Sequence, residues 1–208
     1  MKNKHIRMRI AQCVELAKIS NCPRLKVGAM LIDPERNVVL MDGYNGGPRG
    51  GSKLCGPSFC LRDGLHSGDV VVEPDKEDSR VIVKGVWWPH EDGSPLMQGQ
   101  EAKAYRQRLL EEYAPIPSGQ RVEIGCHHAE LNVIANAAAG GVKTIGAWMI
   151  CTAEPCMLCA KLIHHAGIKK LIVIEGGYIG GRAGVEYLQK HGVEVRWEEG
   201  PKDPRTEE

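Results

Sequence analysis

Aromatic side chains are scarce in this 208-residue chain, which holds one Phe, four Trp and five Tyr. An excess of either charge is missing too, since 27 Lys and Arg stand against 26 Asp and Glu. Grip on single-stranded nucleic acid needs a basic groove and stacking rings. A broad polyanion-binding face needs clustered Lys and Arg. A polymeric substrate is therefore not expected, although a small basic pocket stays compatible with this balance. No apolar run reaches the ~18 residues of a membrane span. The polar opening Met1-Lys2-Asn3-Lys4 shows no secretory pattern. Eight cysteines are present, but this is no short secreted chain, so a reducing cytoplasmic setting is the expectation. The length suits one domain, 1–208, with room for an insertion.

Against these absences stands a split motif, His128-Ala129-Glu130 and then Pro155-Cys156-Met157-Leu158-Cys159. Catalytic zinc sites take three protein ligands and leave a fourth position open. His128, Cys156 and Cys159 make such a set. Cysteines three apart share the first turn of a helix, so both sulfurs can hold one ion. Pro155 suits a helix start, because its missing N–H would have had no partner there. The partial positive charge of a helix N-terminus favours the thiolate that zinc requires. Glu130, two residues past His128, can reach the open position without being a ligand. H-x-E followed by P-C-x-x-C is a known signature of zinc deaminases. A lone C-x-x-C could be a redox pair or half of a structural zinc site. A closed structural site, with Glu130 merely a helix residue, is the alternative reading.

Periodicity places the elements. Ile6, Ile10, Cys13, Val14 and Ala17 recur at helical spacing over 5–20, with Cys13 a small buried hydrophobe. Strands are expected over 27–33 and 38–42, joined as a hairpin through Pro34-Glu35-Arg36-Asn37. The glycine-rich run 43–51 lets backbone approach a ligand closely, but fits no phosphate-binding fingerprint. Residues of about 52–124 read as an insertion. It carries short strands at 70–72 and 81–83, a charged loop over 73–78, and a helix over 100–113 with an apolar side of Ala104, Leu109, Leu110 and Tyr113. Beyond it the expected order is helix 127–139, strand 144–151 with Cys151 buried in it, helix 155–166, strand 170–175, helix 183–190 and strand 193–197. Gly167 and Gly192 close the last two helices. A hairpin followed by α/β units implies a mixed five-stranded sheet with helices on both faces. The tail, 198–208, is expected to be disordered.

The motifs Lys26-Val27-Gly28-Ala29, Gly43-Tyr44-Asn45-Gly46-Gly47-Pro48-Arg49-Gly50, His128-Ala129-Glu130-Leu131-Asn132 and Pro155-Cys156-Met157-Leu158-Cys159-Ala160 resemble the cytidine deaminase superfamily. Within it the chain is similar to the deoxycytidylate (dCMP) deaminases. Gly167-Ile168-Lys169-Lys170 and Tyr178 match as well. Thr152-Ala153-Glu154 and the Met157-Leu158 pair look more like tRNA adenosine deaminases, and phage-type dCMP deaminases also carry extra middle sequence.

The resemblance implies a three-layer α/β/α cytidine deaminase-like fold and a zinc-dependent conversion of dCMP to dUMP for thymidylate synthesis. Glu130 would be the catalytic proton carrier, and the Ala129 N–H would polarise the reacting atoms. Asn45 would hold the sugar, its alternative being a turn residue. Lys26, Arg24 and Arg49 are candidates to meet a 5′-phosphate, or solvated charges. Tyr178 would close over the nucleotide, or pack on the sheet. Cys22, Cys55 or Cys60, and Cys126 occupy the places of a second, structural zinc site, with His66, His90 or His127 able to substitute for one of them. Scattered buried thiols are the alternative there. His164 and His165 read as surface or packing residues. Family members are often hexamers regulated by dCTP and dTTP, and 43–50 matches a segment of that effector site.

Overall fold

Strand β1, Gly28–Asp33, sets the architecture, because its side chains alternate between two separate cores. Ala29 and Leu31 enter one apolar cluster with Val133, Ala137, Met149, Ile163 and Leu188. Met30 and Ile32 enter another with Ile6, Ile10, Cys13, Ile150 and Ile172. Period-two alternation in a strand buried on both faces requires a helical layer on each side. The computed structural model describes residues 1–47, 60, 64, 67–75, 78–83, 86–87, 99–112, 114–115, 126–174 and 182–200. Arg49, Cys55, His66, His90, Tyr178 and the end of the tail lie outside them.

Helix α1, Asn3–Lys18, covers the second core through Ile6, Ile10 and Cys13, with Ala17 also buried. It approaches β1 backbone to backbone at Gly28, where a Cβ would stand 2.5 Å from Cys13 O. β1 pairs antiparallel with β2, Val38–Tyr44, and with β6, Trp148–Cys151. β7, Lys170–Ile174, and β8, Glu194–Glu198, continue the sheet in parallel. The order β2-β1-β6-β7-β8 is the expected mixed five-stranded sheet. Helices α3, Ala129–Ala139, α4, Met157–His165, and α5, Arg182–Lys190, supply the other layer. Gly167 and Gly192 carry φ of 72° and 80°, the left-handed closure expected of each.

Several boundaries differ from the sequence expectation for physical reasons. β2 runs on to Tyr44 because its last residues still pair with Gly28 and Ala29. β6 starts at Trp148, not 144. Residues 144–147 form a turn, with Ala147 N–H bonded to Thr144 O at 3.0 Å and Gly146 at φ 85°. Glu198 ends β8 and is not tail.

The chain forms two compact units, one of Met1–Gly50 with Cys126–Glu208 and a second of Gly51–Gly125. The second has its own antiparallel sheet of β3, Val70–Asp75, β4, Asp78–Val83, and β5, Val86–Trp87. The charged stretch expected to be a loop is therefore mostly strand. Pro74 is tolerated because β3 is an edge, where no ladder N–H is needed. In α2, Gly99–Glu112, the buried pair is Ala102 and Leu109, two turns apart, while Ala104 is exposed. Arg106 ties α2 to Val70 O at 2.8 Å and Ser67 O at 2.6 Å.

Candidate active site

Two helix N-termini converge on the split motif. His128 is the N-cap of α3, in extended conformation at φ −70° and ψ 152°. Cys156 is the N-cap of α4, at φ −66° and ψ 167°, and Cys159 sits in its first turn. Helix α4 thus begins two residues later than the sequence pattern suggests, and the C-x-x-C spacing becomes N-cap to N3. In that geometry the cap side chain faces N3, which explains why the two sulfurs meet.

His128 Nδ1 lies 3.5 Å from Cys156 Sγ and 3.5 Å from Cys159 Sγ. All three donor atoms fall within 4.8 Å of one another. A tetrahedral zinc with Zn–N of ~2.0–2.1 Å and Zn–S of ~2.3 Å sets nitrogen and sulfur about 3.5 Å apart. The donor set therefore fits zinc in both chemistry and spacing. The two thiols differ in acidity. Cys156 is pulled down to about 3, first by the Cys159 thiol hydrogen bond, with burial opposing and His128 assisting. Cys159 is pushed up by the same bond, then by burial and Glu130.

Glu130 is 4% exposed. Burial raises its carboxyl above the ordinary carboxylate range, against the pull of its own main-chain N–H and of His128. Ala129, fully buried, opens α3, where N–H groups have no intrahelical acceptor. Behind the site, Thr152 clips the strand that leads into it. Gly28 N–H donates to Thr152 Oγ1 at 3.0 Å, and Thr152 N–H donates to Gly28 O at 3.0 Å.

Residues 1–175 match the family model of the cytidine and deoxycytidylate deaminase zinc-binding region. The chain belongs to the cytidine and deoxycytidylate deaminase family. Among its relatives is the deoxycytidylate deaminase of Enterobacteria phage T4, 31% identical over 185 residues, covering 85% of this chain and 80% of the relative. That of phage T2 is 30% identical, with 85% and 82% covered. In fold, the chain is similar to the dCMP deaminase of cyanophage S-TIM5 in apo form. The TM-score is 0.54 at 21% identity, with 95% of this chain and 100% of the other covered.

For this deaminase-family chain, the other expected site residues are placed as follows. Asn45 is buried and spends its amide on the backbone, accepting from Val27 N–H at 2.8 Å and donating to Leu25 O at 2.8 Å. Lys26 is thereby held between two pinned residues, and its Nζ donates to Lys18 O at 3.2 Å, at the C-terminus of α1. Arg24 is exposed on the same loop. Cys22 is buried there too, its N–H bonded to Ser20 Oγ at 3.2 Å. Cys126 is half-buried beside His127, and Cys60 is buried in the 51–125 unit. His164 makes ring contacts with Tyr187 and His191, a packing role.

Asn45→Ala leaves a buried N–H and a carbonyl unpaired, each costing ~1–3 kcal/mol. Urea unfolding of the variant is expected to show a loss of roughly 2–4 kcal/mol, and no loss would show that water replaces the amide.

The sequence reading passed over Gly184. A Cβ there would stand 2.1 Å from Pro155 O and 3.0 Å from Cys156 C, so α5 lies directly on the segment entering the cysteine pair. A helical glycine costs about 1 kcal/mol relative to Ala, and that sacrifice was the available signal. Gly184→Ala gains helix propensity but must lift α5 or the cysteine loop. Chelator competition is expected to show a zinc affinity roughly 10–100-fold weaker. Unchanged affinity would mean that the loop yields without cost.

Proposed function

We propose that the chain catalyses the zinc-dependent hydrolysis of dCMP to dUMP and ammonia, supplying dUMP for thymidylate synthesis. One observation carries the reading: a three-ligand centre of His128, Cys156 and Cys159 stands with a buried carboxyl, Glu130, two residues along from the histidine. The phage relatives named deoxycytidylate deaminase support the choice of nucleotide.

Zinc held by these three residues supplies Lewis-acid charge that makes water nucleophilic at neutral pH. Glu130 takes the proton from the water that adds at C4 and hands it to ring N3, then carries the proton of the new C4 hydroxyl to the departing amine as the C4 carbonyl forms. A carboxyl raised by burial is matched to carrying a proton in both directions. The Ala129 N–H polarises the reacting atoms from the positive end of α3. Asn45 and Tyr178 contact the sugar and base side, and Lys26 and Arg24 meet the 5′-phosphate. Asn45 also fixes the loop that bears both cations.

A structural zinc drawn from Cys22, Cys55, Cys60 and Cys126 completes the metal content. A homo-oligomer, hexameric by family, responding to dCTP and dTTP in the cytoplasm, completes the proposal. Among the described residues no helix is long and apolar enough to cross a membrane.

Ammonia release from dCMP, dCTP, deoxycytidine and a short tRNA hairpin, run beside metal analysis, tests the whole. Preference for dCMP with about two zincs per chain supports it. Turnover of the hairpin, or of nothing while zinc is bound, overturns the substrate assignment. A single zinc overturns the structural site.

A further inference from the structure

Helix α3 does more than carry His128 and Glu130. Its side of β2 is a close approach: a Cβ on Gly43 would stand 3.1 Å from Val133 N and 3.2 Å from Asn132 Cβ. From there Asn132 Nδ2 donates to Tyr44 O at 2.7 Å. One turn on, Asn136 Nδ2 reaches Asp42 O at 3.4 Å. Beyond Tyr44 the chain pairs with the residue before His128, Gly46 N–H to His127 O at 3.1 Å and His127 N–H to Gly46 O at 2.8 Å. On its other side this stretch, through the Asn45 amide, holds Leu25 and Val27. The segment 44–46 is thus the hinge piece between the helix with the proton carrier and the loop with the phosphate-side cations.

We propose that Asn132 is a positioning residue for the deamination, its amide holding the Tyr44 carbonyl so that the 44–46 segment keeps the 25–27 loop placed to bind substrate. The proposal rests on the function argued above and assigns a further residue to it. The Asn132–Tyr44 bond is solvent-accessible, so water replaces it with small effect on stability. Water does not fix a direction, and a misplacement of about 1 Å in groups that position substrate can cost on the order of 10²-fold.

Two variants test it, Asn132→Ala, which removes the donor, and the isosteric Asn132→Asp, which turns an oxygen toward the Tyr44 carbonyl. For Asn132→Ala, KM for dCMP is expected to rise roughly fivefold or more, with kcat within about twofold. Zinc content stays that of the parent, and Asn132→Asp raises KM further. Hydrogen exchange at the Gly46 and His127 amides should accelerate in both variants, with exchange in β6 unchanged. Unchanged KM overturns the proposal, and so does a joint fall of kcat, zinc content and melting temperature. If the parent protein turns over no cytosine nucleotide, the function fails separately, and exchange alone judges Asn132. Acceleration confined to Gly46 and His127 then supports the link, and its absence overturns it.

Discussion

Glu130→Gln is expected to lower kcat for dCMP by roughly a thousandfold or more while zinc content stays at the parent level. The amide keeps the volume of the carboxyl, so the buried position near the metal ligands remains filled. What disappears is the one group there that can accept a proton and give it back. The two properties separate because Glu130 is no member of the donor set formed by His128, Cys156 and Cys159. Stopped ammonia assays with metal analysis on the same sample decide the matter. Activity near that of the parent would remove Glu130 from the chemistry, and loss of zinc would make it a ligand.

Cys156→Ala should abolish both zinc retention and turnover. Two ligands, His128 and Cys159, remain, and Cys159 loses the partner that accepts its S–H. Losing that bond lets the Cys159 thiol ionise more readily, but one thiolate and one imidazole fall short of the three protein ligands that a catalytic zinc site takes. Because metal binds the folded chain, saturation at ~1,000 times Kd stabilises it by about 4 kcal/mol. The parent should therefore melt at a lower temperature with a strong chelator present. Cys156→Ala should melt at one temperature with or without it. A variant that keeps zinc through dialysis would point to a replacement ligand.

How much of this was written in the sequence differs from element to element. The metal set was legible because its chemistry is local: a His two residues from a Glu, and two Cys joined by one helical turn. The sheet was legible through the apolar run along 27–33, and the helix ends through Gly167 and Gly192, where only a left-handed residue closes the helix. Ends of elements were less so. Thr144 and Ile145 have strand character, yet Gly146 turns the chain and Thr144 Oγ1 bonds Ala166 O at 2.7 Å instead. In the 51–125 unit, charge over 73–78 suggested a loop, whereas pairing of Glu73 with Arg80 and Asp75 with Asp78 continues the ladder. Asn45 was recognisable as important but not in its work on Leu25 and Val27, since those bonds depend on tertiary placement. Gly184 is the same case, as its neighbour Pro155 stands almost thirty positions away.

The Gly46–His127 pair also bears on how such a chain can change over generations. These two residues are hydrogen-bonded neighbours, although about 80 residues separate them. Whatever lies between leaves the deaminase unit and returns to it at a single point. Closing a longer excursion costs only ~0.6 kcal/mol per doubling of its length. Lineages are therefore free to lengthen, shorten or exchange that excursion without dragging His128 or Asn45 out of register. The catalytic parts can stay fixed while the middle of the gene drifts.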